Sequence, residues 1–287
     1  MKAISYSLFG FNKITPANCF EFETYVRGFF VNVRINRVIY PGWTNVLNID
    51  RESYNSPYRM IFDWLASETQ TAIVIQDDAP LCKAMLWRLK TVFSYDHPNW
   101  RYSHIICRDT DSIGTYREAQ AVAQWIGEDR TAHCITDSIS HNIPMMGGMC
   151  GFRPGYLNER LKLNLEPEKI WDQLIKNGGE IDFTKKGADQ DFLMRYIYPK
   201  VATDSVTAHF VLGMRQTVTE NNGMHYTIPD IPIDVDPVHK HLNDCAGHIG
   251  AAGYYEPPML KWLRHIDPNR DYYTPIEKQF PKVFFWA

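Results

Sequence analysis

Four short apolar segments, "KAISYSLFG" (2–10), "TNVLNID" (44–50), "TAIVIQD" (71–77) and "SHIICRD" (103–109), alternate with helical periodicities before residue 112. No other feature constrains the fold as strongly. The segments are rich in β-branched and aromatic residues, and the last three close on an acid. Between the first two, "FETYVRGFFVNVRINRVIY" (22–40) places Phe22, Val26, Phe29, Val33 and Tyr40 along one stripe. "SPYRMIFDWLAS" (56–67) and "APLCKAMLWRLKTVF" (79–93) repeat the pattern, the second opened by Pro80 in a first-turn position. Strand and helix in alternation imply a parallel sheet with right-handed crossovers. The expected fold class is α/β: a central, Rossmann-like, mostly parallel sheet flanked by helices. Ligands of such sheets bind at the carboxyl ends of the strands, where the acids lie.

After residue 112 the alternation breaks. A helix over "TYREAQAVAQWIGED" (115–129) leads into the loop "TDSISHNIP" (136–144) and a Gly-laced strand candidate, "MMGGMCGF" (145–152). A further helix is expected over "GADQDFLMRYIYP" (187–199) and a strand in "DSVTAHFVLG" (204–213), with irregular chain beyond residue 215. There is no internal repeat. The expectation is one domain over 1–287, with a nucleotide-binding half (1–111) and a more elaborate donor-sugar and acceptor half (112–287).

The 45% hydrophobic and 22% charged fractions are those of a globular protein. A net charge of −3, with Lys and Arg scattered, weighs against a duplex-gripping basic face. Cys19, Cys82, Cys107, Cys134, Cys150 and Cys245 form no CxxC pair, which argues against a zinc cluster or a disulfide framework and favours a reducing compartment. No apolar run reaches the ~18 residues of a membrane span. A cytoplasmic protein is expected, and "FPKVFFWA" at the end is expected to dock on the domain or a partner.

"RDTDS" (108–112) sets two carboxylates one residue apart. They repel, so a cation between them is the first candidate. Three readings compete. Asp109 and Asp111 end a strand ahead of a helix capped by Ser112 or Thr115. Or they form the nucleophile motif of a haloacid-dehalogenase-type phosphatase, although that motif belongs on a first strand. Or they hold Mn²⁺ or Mg²⁺, whose preference for hard oxygen ligands suits a diphosphate leaving group.

The ordered set "RDTDS…YREAQAVAQWI…HNIPMMGGMCGF…GADQDFL…IYP…DSVTAHF", residues 102 to 210, resembles a group of GT-A-type glycosyltransferases of bacteria and viruses. Their pattern is R-D-x-D-S, R-E-x-x-A-V-x-x-W, H-N, G-G-M-x-G, D-Q-x-F-L, I-Y-P and a late His. The resemblance implies a nucleotide-diphosphate sugar donor, UDP-linked by preference, and transfer of a hexosyl or pentosyl group to a hydroxyl of a glycan, a protein or a modified base. It also implies Mn²⁺ or Mg²⁺ held by Asp109 and Asp111, with His209 as third ligand and His248 as its rival. If the chain is viral, the compartment is the host cytoplasm. Two departures fall where the sugar would lie: "TDSISHN" keeps Asp137 but lacks the family's Arg and His neighbours, and Cys150 stands where a Trp is usual.

Further roles follow. Ser7, Leu8, Phe9 and Gly10 close the first strand, where base and ribose would lie, and Asp50 ends the second. Lys83, Arg88 and Arg108 are the cations nearest the phosphates in sequence, Arg88 foremost. Gly147 and Gly148 would let a sugar approach the backbone, with Asp189 and Gln190 across the cleft and His141 as a further contact. Asp189 or Asp137 would deprotonate the acceptor in an inverting reaction, whereas Gln190 or Asp189 would stabilise a cationic sugar in a retaining one. The rival class is a non-catalytic nucleotide-sugar or glycan-binding module.

Overall fold

The computed structural model describes residues 1–11, 19–77, 79, 81–93, 102–112, 114–136, 143–162, 176, 181–202, 205–210, 217–219 and 225–227. Asp137, His141, His248 and the final "FPKVFFWA" lie outside the described residues.

Strands β1 (Lys2–Leu8), β2 (Thr44–Asp50), β3 (Thr71–Gln76) and β4 (His104–Arg108) form where the four apolar segments predict them. They continue through β5 (Ala132–Thr136), β6 (Met149–Phe152) and β7 (Val206–Phe210) into a seven-stranded sheet of order β3-β2-β1-β4-β6-β5-β7. β6 runs antiparallel to both its neighbours, and the other pairings are parallel. The sheet is thus mostly parallel and flanked by helices, as expected. β5 was not anticipated. Its "AHCIT" is buried throughout, so it lacks the polar–apolar alternation of a half-exposed strand. Within the stretch read as irregular, β8 (Thr217–Thr219) and β9 (His225–Thr227) pair antiparallel.

The period-2 alternation of β1 divides the core. Ile4, Tyr6 and Leu8 face one layer with Leu47, Ile49 and Ile106, covered by α1 (Cys19–Ile39) and α3 (Arg59–Glu68). Val26, Phe29 and Val33 of the predicted α1 stripe have no exposed surface. Ala3, Val46, Ile105 and Cys107 face the other layer, against α5 (Trp87–Phe93) and α7 (Pro154–Leu161).

The helix expected over 79–93 is broken into α4 (Leu81–Ala84) and α5. Ser7 Oγ at the end of β1 accepts from the Arg88 backbone N–H at 2.8 Å and donates to the Met85 carbonyl at 3.4 Å. One hydroxyl therefore satisfies groups that the interruption frees. The helix over 187–199 also differs. α8 (Ala188–Phe192) passes through a π-turn (Leu193–Ile197) into α9 (Tyr198–Val201). Pro199, in the first turn of α9, lacks the N–H that a regular α ladder requires. Among the described residues, no helix is long and apolar enough to cross a membrane.

Candidate active site

The parallel register aligns the carboxyl ends of the front strands: Leu8 pairs with Ile49, Asp50 with Gln76, and Ser5 with Cys107. Asp109 leaves β4 two residues past that last pair, beside the Ser7 end of β1. The loop it enters is gripped from α1. Asn32 Nδ2 donates to the carbonyls of Thr110 (3.1 Å) and Ser112 (2.8 Å), and its Oδ1 accepts from Gly114 N–H at 3.2 Å. Asn32 is buried, and its three bonds fix the backbone that carries Asp109 and Asp111. Sequence reasoning missed it. The available signal was a polar residue set between Phe29 and Val33 of an apolar stripe.

Arg88 lies at the centre of the site. Its guanidinium pairs with Asp109 through Nη1 and with Asp189 Oδ2 through Nη2 at 2.8 Å. The side chains of Arg88 and Asp189 are 4% and 3% exposed, whereas that of Asp109 is 45% exposed and presents its outer face to solvent. Burial opposes the charge on Arg88, but Asp109 and Asp189 outweigh it and hold the guanidinium protonated. Asp189 Oδ1 is buried and has no partner among the described residues. Gly147 and Gly148 lie against this cluster. A Cβ at Gly147 would overlap Asp189 Oδ2 and come within 2.8 Å of Arg88 Nη2, and one at Gly148 would overlap Asp109 Oδ2. The glycine pair gives this space to carboxylates. Three motifs far apart in sequence (Asp109, Gly147–Gly148, Asp189) thereby meet around one arginine.

Asp111 is part-buried, and burial followed by repulsion from Asp109 raises its carboxyl to about 6. Two like charges held this way favour a cation, and the oxygens not paired with Arg88 are hard donors of the kind that Mn²⁺ or Mg²⁺ prefers. The pair fits such an ion.

Other expected site residues have different surroundings. Arg108 turns inward instead of toward phosphates. It pairs with Glu118 of α6 (Tyr116–Glu128), and its Nη1 donates to the Cys107 carbonyl at 2.7 Å and the Cys150 carbonyl at 3.2 Å. Tyr40 also donates to Glu118 at 3.2 Å. The Arg of R-D-x-D-S and the Glu of R-E-x-x-A thus lock β4 to α6. Asp50 caps α2 (Arg51–Tyr54): Oδ1 accepts from Ser53 N–H at 2.7 Å and Oδ2 from Ser53 Oγ at 2.6 Å. Each carboxylate oxygen has a protein donor in place of the base or ribose expected for it. Leu8 is core, and Phe9 packs edge-on against Trp87 with centroids 5.9 Å apart. Gly10 turns the chain with φ 87°. Lys83 is part-buried in α4. Gln190, next to the buried Asp189, lines an outward cleft of about 440 Å³ with Asp182, Lys185, Met194 and Arg195.

The structure does not bring His209 to Asp109 and Asp111, and among the described residues no group of three or more His, Cys, Asp or Glu could hold a metal. His209 is on β7, two strands beyond β6. Its Nδ1 bonds His133 Nε2 at 2.9 Å and its Nε2 bonds Gln124 Oε1 at 3.2 Å. His133 in turn stacks on Trp125 with centroids 5.5 Å apart. Burial lowers His209 from 6.5 to about 4, and burial followed by the His209 charge lowers His133 well below 6.5. Between pH 6.5 and 4 the unfolded chain therefore binds more protons at these sites than the folded one. Their contribution to stability is full above pH 6.5 and is lost on acidification toward 4. The slope is about 1.4 kcal/mol per pH unit per histidine. His209→Gln is expected to flatten the pH dependence by about one such slope. Urea unfolding across pH checks this, and an unchanged slope refutes it.

No protein-family model matches the chain, and no curated protein matches it. Among solved structures, a protein described as a nucleotide-diphospho-sugar transferase from Desulfovibrio desulfuricans G20 is similar at 13% identity and TM-score 0.42, over 93% of this chain and 95% of that one. S. aureus TarS residues 1–349 in complex with UDP is similar at 8% identity and TM-score 0.41, over 99% and 75%.

Proposed function

We propose that this chain is a metal-dependent GT-A glycosyltransferase that moves a sugar from a nucleotide-diphosphate donor, UDP-linked by preference, to a hydroxyl acceptor. One observation carries the reading. Asp109, Gly147, Gly148 and Asp189, which the resemblance marks for metal, sugar and catalysis, come from separate motifs, and they meet around Arg88 at the carboxyl edge of the parallel sheet. Asp109 follows a strand and Asp189 opens a helix 80 positions later, yet both share one buried guanidinium beside two adjacent glycines.

In this reading Asp109 and Asp111 would hold Mn²⁺ or Mg²⁺, which supplies charge neutralisation for a departing diphosphate. The register places the end of β1 beside Asp109 and that of β2 one strand further, so the backbone of Ser7 to Gly10 would border the nucleotide. Asp189 would act nearest the reacting carbon. With Oδ2 tied to Arg88, its Oδ1 is the atom that would accept the acceptor's proton in an inverting reaction. Gln190 and the cleft it lines would receive sugar or acceptor.

Thermal melts and UDP release with UDP-glucose and UDP-N-acetylglucosamine, each with and without Mn²⁺, test the reading. Donor with Mn²⁺ is expected to raise stability by mass action, by about 2.7 kcal/mol at a hundredfold excess over Kd, and the midpoint with it. UDP is expected to be released only when metal is present. Binding without release would make the chain a nucleotide-sugar-binding module. Hydrolysis of simple phosphate esters without donor would make it a phosphatase.

A further inference from the structure

We infer that Arg88 is a positioning residue that holds the metal-side carboxylate Asp109 and the sugar-side carboxylate Asp189 as one rigid unit, a role that rests on the glycosyltransferase reading. A cation serving the phosphates would keep its guanidinium directed at the donor. Here the fork joins two protein carboxylates 80 positions apart in sequence, one part-exposed and the other buried.

The arginine is itself constrained. Its backbone N–H is held by Ser7 Oγ at 2.8 Å, and its carbonyl accepts from Cys107 Sγ at 3.8 Å. The guanidinium is thereby referenced to both β1 and β4. Gly147 leaves the gap through which Nη2 reaches Asp189. A planar fork can meet two carboxylates at once with fixed geometry, whereas a lysine ammonium is a point charge on a flexible stem.

The pattern of satisfaction accords with this role. Most buried polar side-chain atoms have a hydrogen-bond partner. Asp189 has Arg88 on Oδ2 and no partner on its buried Oδ1 among the described residues. The brace sets the direction of Oδ1 without occupying it. Misplacement of a reacting group by about 1 Å costs about a hundredfold in rate, so the loss of this brace should appear in kcat.

The test uses the full chain with MnCl₂ and whichever UDP-sugar the parent turns over, in the parent and in Arg88→Ala, Arg88→Lys and Arg88→Gln. A kcat lower by about a hundredfold, with donor KM within about threefold, is expected in all three variants. Millimolar guanidinium should restore part of the rate in Arg88→Ala and none in Arg88→Lys. Mn²⁺ binding without donor, followed by the EPR signal of the free ion, should be at least as tight as in the parent, because removing a cation leaves the acids less compensated. Near-parent kcat in Arg88→Lys overturns the inference. So does a folded Arg88→Ala that guanidinium does not rescue, or loss of Mn²⁺ binding together with turnover. If Arg88→Ala does not fold, Arg88→Gln, shorter than arginine but polar and able to donate, carries the kcat and Mn²⁺ arms. A parent that releases UDP from no donor refutes the glycosyltransferase reading itself, an outcome distinct from a failed brace in an active enzyme.

Discussion

Alanine in place of Asp111 is expected to lower sugar transfer by about a thousandfold or more, while the thermal midpoint holds or rises. The two effects have opposite signs because function and folding make opposite demands on this carboxylate. Burial and Asp109 raise its folded value to about 6 from the usual 3.8, so the ionised group opposes folding at neutral pH. Linkage gives the sign. A carboxyl whose folded value is raised favours the folded state below 3.8, and that favour is lost as pH rises through about 6. Asp111→Ala should therefore gain midpoint at pH 7.5 relative to the parent and lose that gain near pH 3.5. Melts at the two pH values, with UDP release in excess Mn²⁺, check both halves. Full transfer in Asp111→Ala would remove the metal reading of Asp109 and Asp111.

The second large effect is expected from the glycine pair, and the two glycines should fail differently. At Gly147 an added methyl meets Asp189 and Arg88, whose side chains are 3% and 4% exposed and have nowhere to move. Gly147→Ala should lower stability by about 1–3 kcal/mol, the usual range for overpacking, and also lose activity. At Gly148 the three atoms nearest the methyl all belong to Asp109, whose side chain is 45% exposed and can shift outward at the cost of its pairing with Arg88. Gly148→Ala should cost less stability than Gly147→Ala, because it strains one part-exposed ion pair and not a closed-in one, and still lower transfer by about a hundredfold, because the displaced carboxylate is the one assigned to metal. Urea titrations together with initial rates separate the cases. Equal stability losses in the two variants would contradict the geometry around Arg88.

The pair also shows how far the sequence reaches. "GGM" is legible as a place of close approach, because glycine inside a strand segment leaves room for something. What occupies the room is not legible. A sugar was expected there, and the described structure puts the carboxylates of Asp109 and Asp189 in it. Arg88 was singled out because it precedes the motif strand, yet its partners at positions 109 and 189 could be named only once α8 was folded against α4 and beside Gly147.

Arg108, Asp50 and His209 teach the same distinction. Each is a polar residue at a strand end, the position where α/β ligands bind, and sequence position could not tell a ligand-facing group from one satisfied internally. Glu118, Ser53 and the His133–Gln124 pair supply the internal partners. Buried polar groups take partners wherever the packed chain offers them.

The sequence by itself determined what depends on local periodicity. The front strands stand within a residue or two of their predicted bounds, the α1 stripe faces the core, and Asp109 and Asp111 follow the end of a parallel strand. Only the tertiary structure decided which distant groups meet: β6 inserted antiparallel between β4 and β5, Asn32 clamping the aspartate loop, and Arg88 joining two carboxylates. Side-chain period is a property of neighbouring residues. Partner choice for buried charge instead follows from the global packing, where a few ångströms separate a catalytic acid from a structural one.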